Sequence, residues 1–190
     1  METITLKIQG TSALMLNAPT TVNPFSEFSK MLKPLTSKRT KTDDDLLEIS
    51  RIKFLASFYI ENGRYVLPAQ NVEQSVIEAA RERKLGKKFE RSFRIYDTPD
   101  LHFEDEDKTP EELYEIGKYV DVRPVGIQKV KIPTTRVIIP TPWHVIVNCV
   151  YDPDVLNHDE VIQCAQIAGL RYGVGTYRRC YGRYSIEEIR

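Results

Sequence analysis

The chain has 190 residues, with 27 Lys+Arg against 27 Asp+Glu and a formal net charge of +0. That length allows one domain with a substantial core. Balanced charge excludes a global field that would pull the chain towards a polyanion or an anionic membrane, so any such binding must come from local clusters.

Cys149, Cys164 and Cys180 are far apart and odd in number, without the short paired spacing of a zinc site or a secreted disulfide framework. They read as reduced thiols of a cytoplasmic protein. The N-terminal METITLKIQG alternates polar with apolar residues, and no run approaches the roughly 20 apolar residues that span a bilayer.

Taken in chain order, Ile4, Leu6 and Ile8 alternate with polar residues and predict a first strand, which bends at Gly10 and continues into ALML. Residues 17–41 are rich in Pro, Thr, Ser and basic residues and predict a long loop. Thr42 offers an N-cap, Asp43 to Asp45 complement the helix dipole, and Leu46, Ile49, Ile52, Leu55 and Tyr59 recur at helical spacing over 43–59. RYVLP is extended, and Asn71 with Gln74 predicts a second helix whose apolar face is Val72, Val76, Ile77 and Ala80, closed by Gly86 in a left-handed conformation. KKFERSFRI then predicts a strand with Phe89, Phe93 and Ile95 on one face.

DTPDLHFEDEDKTPEELYEIG holds most of the acidic excess and reads as a solvated insertion with one short helix, capped by Thr109, begun by Pro110 and stopped by Gly117. Beyond it KYVDVRPVGIQKVKIPTTRVII and WHVIVNCVY predict two or three strands joined at PTP, with Trp143, Val145, Val147, Cys149 and Tyr151 sharing a face. Asn157 with Glu160 starts a last helix lined by Val161, Cys164, Ala165 and Ala168 and ended by Gly169, and YSIEEI closes the chain as a strand. Without the insertions, about 18–60 and 97–118, the order is strand, helix, strand, strand, helix, strand. That is an α+β, ferredoxin-like (RRM-like) split βαβ core with an antiparallel sheet and one open face. The predicted core is Ile4, Leu6, Ile8, Leu55, Val76, Ala80, Phe93, Val145, Val147, Val161 and Ala165.

The stretch AGLRYGVGTYRRCYGRY, residues 168–184, gathers Gly173, Gly175 and Gly182 with Arg171, Arg178, Arg179 and Arg183 and with Tyr177 and Tyr181. Glycines let a phosphate approach the main chain, guanidinium forks bind phosphate, and tyrosine or arginine planes stack on unpaired bases. A glycine-rich structural turn with solvated arginines gives the same letters, and both readings stand. Lys38, Arg39 and Lys41 in the first insertion, with Lys87 and Lys88 after the second helix, are further phosphate candidates or solvated charges.

His102, His144 and His158 lie in no catalytic motif, so no catalytic residue is assigned; His144 is the one candidate general base. Consecutive carboxylates such as EDED make a poor octahedral cage, and neither metal nor cofactor is predicted.

Helix, GVGTYRRCYGRY and final strand, about 157–189, resemble the C-terminal signature of the RAMP superfamily, the CRISPR-associated RNA-binding and RNA-processing proteins. YVLPAQNVEQSVIEAAR, 65–81, resembles the entry into the first helix of the backbone subunits of CRISPR effector complexes. The C-terminal stretch is also similar to that of bacteriophage proteins ending in a glycine-glycine-arginine-glycine pattern and an aromatic. The resemblance implies a non-catalytic protein for single-stranded RNA or DNA, arranged in a homo-oligomeric or multi-subunit array. A protein-binding inhibitor from a phage or mobile element and a metal-independent endoribonuclease are the alternatives.

Overall fold

The computed structural model describes residues 1–127 and 130–189, and of 125–127 and 130–132 the backbone alone. In chain order, β1 (Glu2–Gly10) and β2 (Leu14–Leu16) are followed by a 3-10 turn (Pro19–Thr21), α1 (Glu27–Thr36) and α2 (Asp43–Leu55). Next come β3 (Ile60–Glu61), β4 (Arg64–Tyr65), α3 (Ala69–Glu82), α4 (Gly86–Ser92), β5 (Phe93–Ile95), β6 (His102–Phe103) and α5 (Pro110–Ile116). The last elements are β7 (Val120–Ile127), β8 (Val130–Ile139), β9 (Trp143–Tyr151), α6 (His158–Ile167), a π turn (Ala168–Tyr172) and β10 (Tyr184–Ile189).

The chain divides into two compact units, Met1–Met15 with Ile60–Glu106 and Ile139–Arg190, and Leu16–Tyr59 with Asp107–Ile138. In the first, the sheet runs β10-β1-β9-β5, with β6 also on β9, and the pairings are antiparallel. Read with α3 and α6 between their strands, this is the ferredoxin-like α+β fold. Period-two alternation decides the faces. Ile4, Leu6, Ile8, Phe93, Val145, Val147, Cys149 and Tyr151 are buried, as are Val76 and Ala80 of α3 and Val161 and Ala165 of α6. Lys7, Ile146 and Glu187 share one row on the open face, because Lys7 pairs with both neighbours in register. Trp143 is fully buried, and its indole N–H donates to the Ser12 carbonyl at 2.8 Å, so no polar atom is stranded. Burial also pushes the Cys149 thiol up to about 12 and raises that of Cys164, which suits packing rather than reactivity.

The second unit joins α1, α2, α5 and the β7–β8 ladder, in which Val120 faces Val137. Phe54 meets Phe58 and Tyr114 with ring centroids 5.2 and 5.3 Å apart, and Ile52, Leu55 and Leu113 are buried. Thr42 and Thr109 both close capping boxes, with Asp45 and Glu112.

Several expectations are corrected. The predicted loop over 17–41 contains α1, capped by Ser26 accepting from the Ser29 N–H. Its Pro34 lies in the last turn, where the helix ends two residues later. The helix expected from Asn71 begins directly after Pro68 instead, because the X-Pro backbone leads straight into the first turn. Gly86 does not close α3: Lys84 takes the left-handed conformation (φ 60°), and the Leu85 N–H returns to the Ala80 carbonyl at 2.9 Å. Residues 86–92 form α4 rather than strand, although Phe89 is buried as expected. The segment 97–118 is not simply solvated, since Leu101, Phe103 and Leu113 are buried and β6 joins the sheet. Among α2's expected apolar positions, Leu46 is exposed.

Gly169 does not end α6 either. The backbone continues as a π turn and stops at Gly173 (φ 70°), whose N–H donates to the Ala168 carbonyl. Gly169 is needed for packing, since a Cβ there would stand 2.1 Å from the Tyr184 carbonyl oxygen. Gly169→Ala must displace the start of β10, and a loss of about 2–3 kcal/mol in urea unfolding is expected. A loss below about 0.5 kcal/mol, the range of ordinary surface substitutions, would contradict that contact.

Candidate nucleic-acid interface

Between the π turn and β10, residues 173–183 form a compact loop whose glycines serve two ends. Gly173 and Gly182 allow close backbone approach: a Cβ on Gly182 would lie 1.9 Å from the Val174 carbonyl oxygen, and both have φ of 70°. The N–H groups of Val174, Thr176 and Gly182 donate to the carbonyls of Gly182, Met15 and Ala13, at 2.9, 2.8 and 2.8 Å. Those donors are spent within the fold. Gly175 (φ 78°) instead lines a cavity of about 360 Å³ with Arg178 and the amide side chains of Gln70, Asn71 and Gln74 from the first turn of α3.

The four arginines divide in the same way. Arg178 forms a two-pronged pair with Glu78, Nη1 to Oε2 at 2.9 Å and Nη2 to Oε1 at 3.2 Å. Arg171 pairs with Glu82, to which the Tyr172 hydroxyl also donates at 2.7 Å. The Tyr172 hydroxyl and the Arg171 guanidinium hold the Glu82 carboxyl below the usual carboxylate range, and the Tyr172 phenol is raised in turn. Two of the positive charges are thus matched by carboxylates of α3.

Arg179 is exposed and, among the described residues, makes no ion pair. Arg183 is half-buried; its backbone N–H donates to Ser12 Oγ at 2.9 Å, while its buried side-chain Nη1 has no hydrogen-bond partner. It lines a cavity of about 530 Å³ together with Gln166 and Ser185. Tyr177 (φ 57°) is exposed and Tyr181 half-buried. Lys87 and Lys88 are exposed on α4 in the same unit. Lys38, Arg39 and Lys41 belong to the other unit, where Lys38 pairs with Asp45 and Lys41 Nζ donates to the Lys38 carbonyl.

On the open face of the sheet, His144 stacks on His102 with ring centroids 4.8 Å apart and planes 24° from parallel. Glu106 contacts His102 Nδ1 at 2.9 Å. Burial, then the neighbouring His102 and Lys7, push the His144 imidazole below its usual value. The sequence signals no such pair, because the two histidines are 42 residues apart and meet only through β6 pairing with β9. Glu78, Glu82 and the α3 amides were equally missed; only their spacing on one helical face hinted at a shared role.

No protein-family model and no curated protein matches the sequence. Among solved structures, the chain is similar to one chain of the cryo-EM structure of the Type III-B Cmr-beta bound to cognate target RNA, at 13% identity and a TM-score of 0.50. The match covers 100% of this chain and 61% of that one, so this chain spans less than two thirds of its length. It shares that fold. A Cas6 product complex matches at 10% identity and a TM-score of 0.28, over 97% and 50% of the two chains. Cmr6 from Pyrococcus furiosus matches at 12% and 0.35, over 99% and 98%. Among the described residues no helix is long and apolar enough to cross a membrane.

His158 at the start of α6 ties the loop's flanks together, with Nε2 3.1 Å from Glu188 Oε1 of β10. The Glu188 hydrogen bond is the largest cause of a raised imidazole pKa, above the ordinary 6.5. A raised folded-state value means that this tie stabilises fully below the unfolded value and fades as pH rises through the folded one. The NMR titration midpoint of His158 is expected above 6.5 and to fall in Glu188→Gln; an unchanged midpoint would show that the pair does not hold.

Proposed function

We propose that this chain is a non-catalytic, RAMP-like nucleic-acid-binding protein that holds single-stranded RNA or DNA along residues 171–183. The observation that carries this reading is Arg183, a half-buried guanidinium with an unpartnered Nη1, lining a cavity between the π turn and β10. A buried donor left without an acceptor is costly, and a turn of the side chain into the cavity would give it a phosphate oxygen and a charge-assisted bond. Arg179 adds an exposed cation, and Tyr177 adds an exposed ring for a base. The amide-lined cavity at Gly175 has donors and acceptors suited to a base edge. The likeness in fold to one chain of a complex bound to its cognate target RNA supports the same reading.

Gly173 and Gly182 shape the loop in this account, while Gly175 lets the strand approach. Arg171 and Arg178 act as latches to α3 that a phosphate would have to share, and Tyr181, Lys87 and Lys88 extend the surface. Lys38, Arg39 and Lys41 are proposed as phosphate contacts within their own unit. The chain is read as one RAMP-like domain carrying insertions at about 18–60 and 97–118. In an array, the acidic 97–115 segment of one copy would face the basic loop of the next, a heterologous contact of the kind that builds filaments.

Fluorescence anisotropy with labelled single- and double-stranded RNA and DNA, at two salt concentrations, tests this. Single strands are expected to bind more tightly and affinity to fall with salt. The double change Arg179→Ala, Arg183→Ala should flatten the logarithmic salt slope by about 0.7 per lost phosphate contact, alike for all sequences. Unaltered binding would make the loop a structural turn alone.

The stacked His102–His144 pair favours one second reading, a metal-independent endoribonuclease in which the low-pKa His144 accepts the 2′-hydroxyl proton. Cleavage of single-stranded RNA in chelator, lost in His144→Ala with binding retained, would establish it; intact RNA would exclude it.

A further inference from the structure

The second unit has a cavity of about 580 Å³ between α2 and the β7–β8 ladder, and of its lining residues the nucleic-acid reading uses Lys41 alone. Its size is within the range of small-molecule sites, which are mostly apolar with a few placed polar groups. One wall is Leu46 and Ile49 of α2, and the facing wall is Val122 and Pro133. Leu46 and Val122 are 52% and 58% exposed, apolar surface that nothing else in the described chain covers.

The charged groups among the described lining residues are of one sign. Lys53 and Lys41 both line the cavity, and among the described residues no carboxylate does. Ser50 and Thr135 hydroxyls lie 2.7 Å apart there, one donating to the other, which leaves one hydroxyl hydrogen for an acceptor. Among the described residues the Lys53 ammonium makes no ion pair or side-chain hydrogen bond. Burial by itself lowers its pKa, so the charge sits partly out of water with nothing opposite it.

An anion is the missing complement, and the apolar walls require that it carry an apolar body. We propose that this cavity binds a small amphiphilic carboxylate, its headgroup on Lys53 and the Ser50–Thr135 hydroxyls and its hydrocarbon part between Ile49 and Val122. Inorganic anions lack the body, and neutral alcohols lack the charge.

Isothermal titration of the full chain with decanoate, decanol and inorganic phosphate tests the proposal. Decanoate is expected to bind saturably at one site, decanol about tenfold more weakly, and phosphate without measurable heat. Lys53→Met should weaken decanoate about tenfold, and Lys53→Arg should retain most of the affinity. Equal binding of decanol and decanoate, phosphate binding as tight as decanoate, or full affinity in Lys53→Met would each overturn it. Should Lys53→Met fail to fold, decanoate-induced amide shifts in the wild-type chain decide: confined to residues 36–53 and 122–135 they support the site, and spread elsewhere they refute it.

Discussion

The C-terminal half of the ferredoxin-like unit depends on a backbone approach that only glycine permits. Gly182 passes so near Val174 that any Cβ would overlap a carbonyl oxygen, and Gly169 is held equally close to Tyr184. The reason is topological. After α6 the chain must return to the outer edge of β1 and pair there as β10, with Ile8 opposite Ile186 and Gly10 opposite Tyr184. A loop that folds back on itself brings the strand in at that register, and its internal N–H bonds hold it there.

The same loop explains how a chain of zero net charge presents cations locally. Arg171 and Arg178 reach α3 carboxylates, which fastens the loop to a helix of the core and removes two charges from any external field. Exposed pairs of this sort contribute little stability each, so their value lies in orientation. Arg179 and Arg183 are left outside these pairs, and the imbalance between matched and unmatched guanidiniums, not their total, defines the candidate surface.

The second unit follows another logic. Phe54, Phe58 and Tyr114 make an aromatic cluster, and the capping boxes of α2 and α5 satisfy the first-turn donors that water would otherwise have to reach. Among the described residues its polar cavity groups are cations and hydroxyls without carboxylates, set beside apolar walls.

Local rules carried much of the fold. Alternation along Ile4, Leu6, Ile8 and along Trp143 to Tyr151 is enough to name the buried face, because a strand's side chains must alternate. The caps at Thr42, Thr109 and Asn157, and the left-handed stop at Gly117, were legible because each satisfies its own neighbours. Where tertiary contacts compete, local reading failed. Phe89 is buried from a short helix and not from a strand, the backbone after α6 runs past Gly169 as a π turn with Tyr184 close against it, and Lys84 bears the positive φ assigned to Gly86. Sequence alone determined that residues 168–184 would be a glycine- and arginine-rich link between a helix and the last strand. Only the folded chain decided which arginines face Glu78 and Glu82, which one keeps a buried nitrogen unpaired, and that His102 meets His144, because each depends on residues 42 to 100 positions apart brought together by sheet order and helix packing.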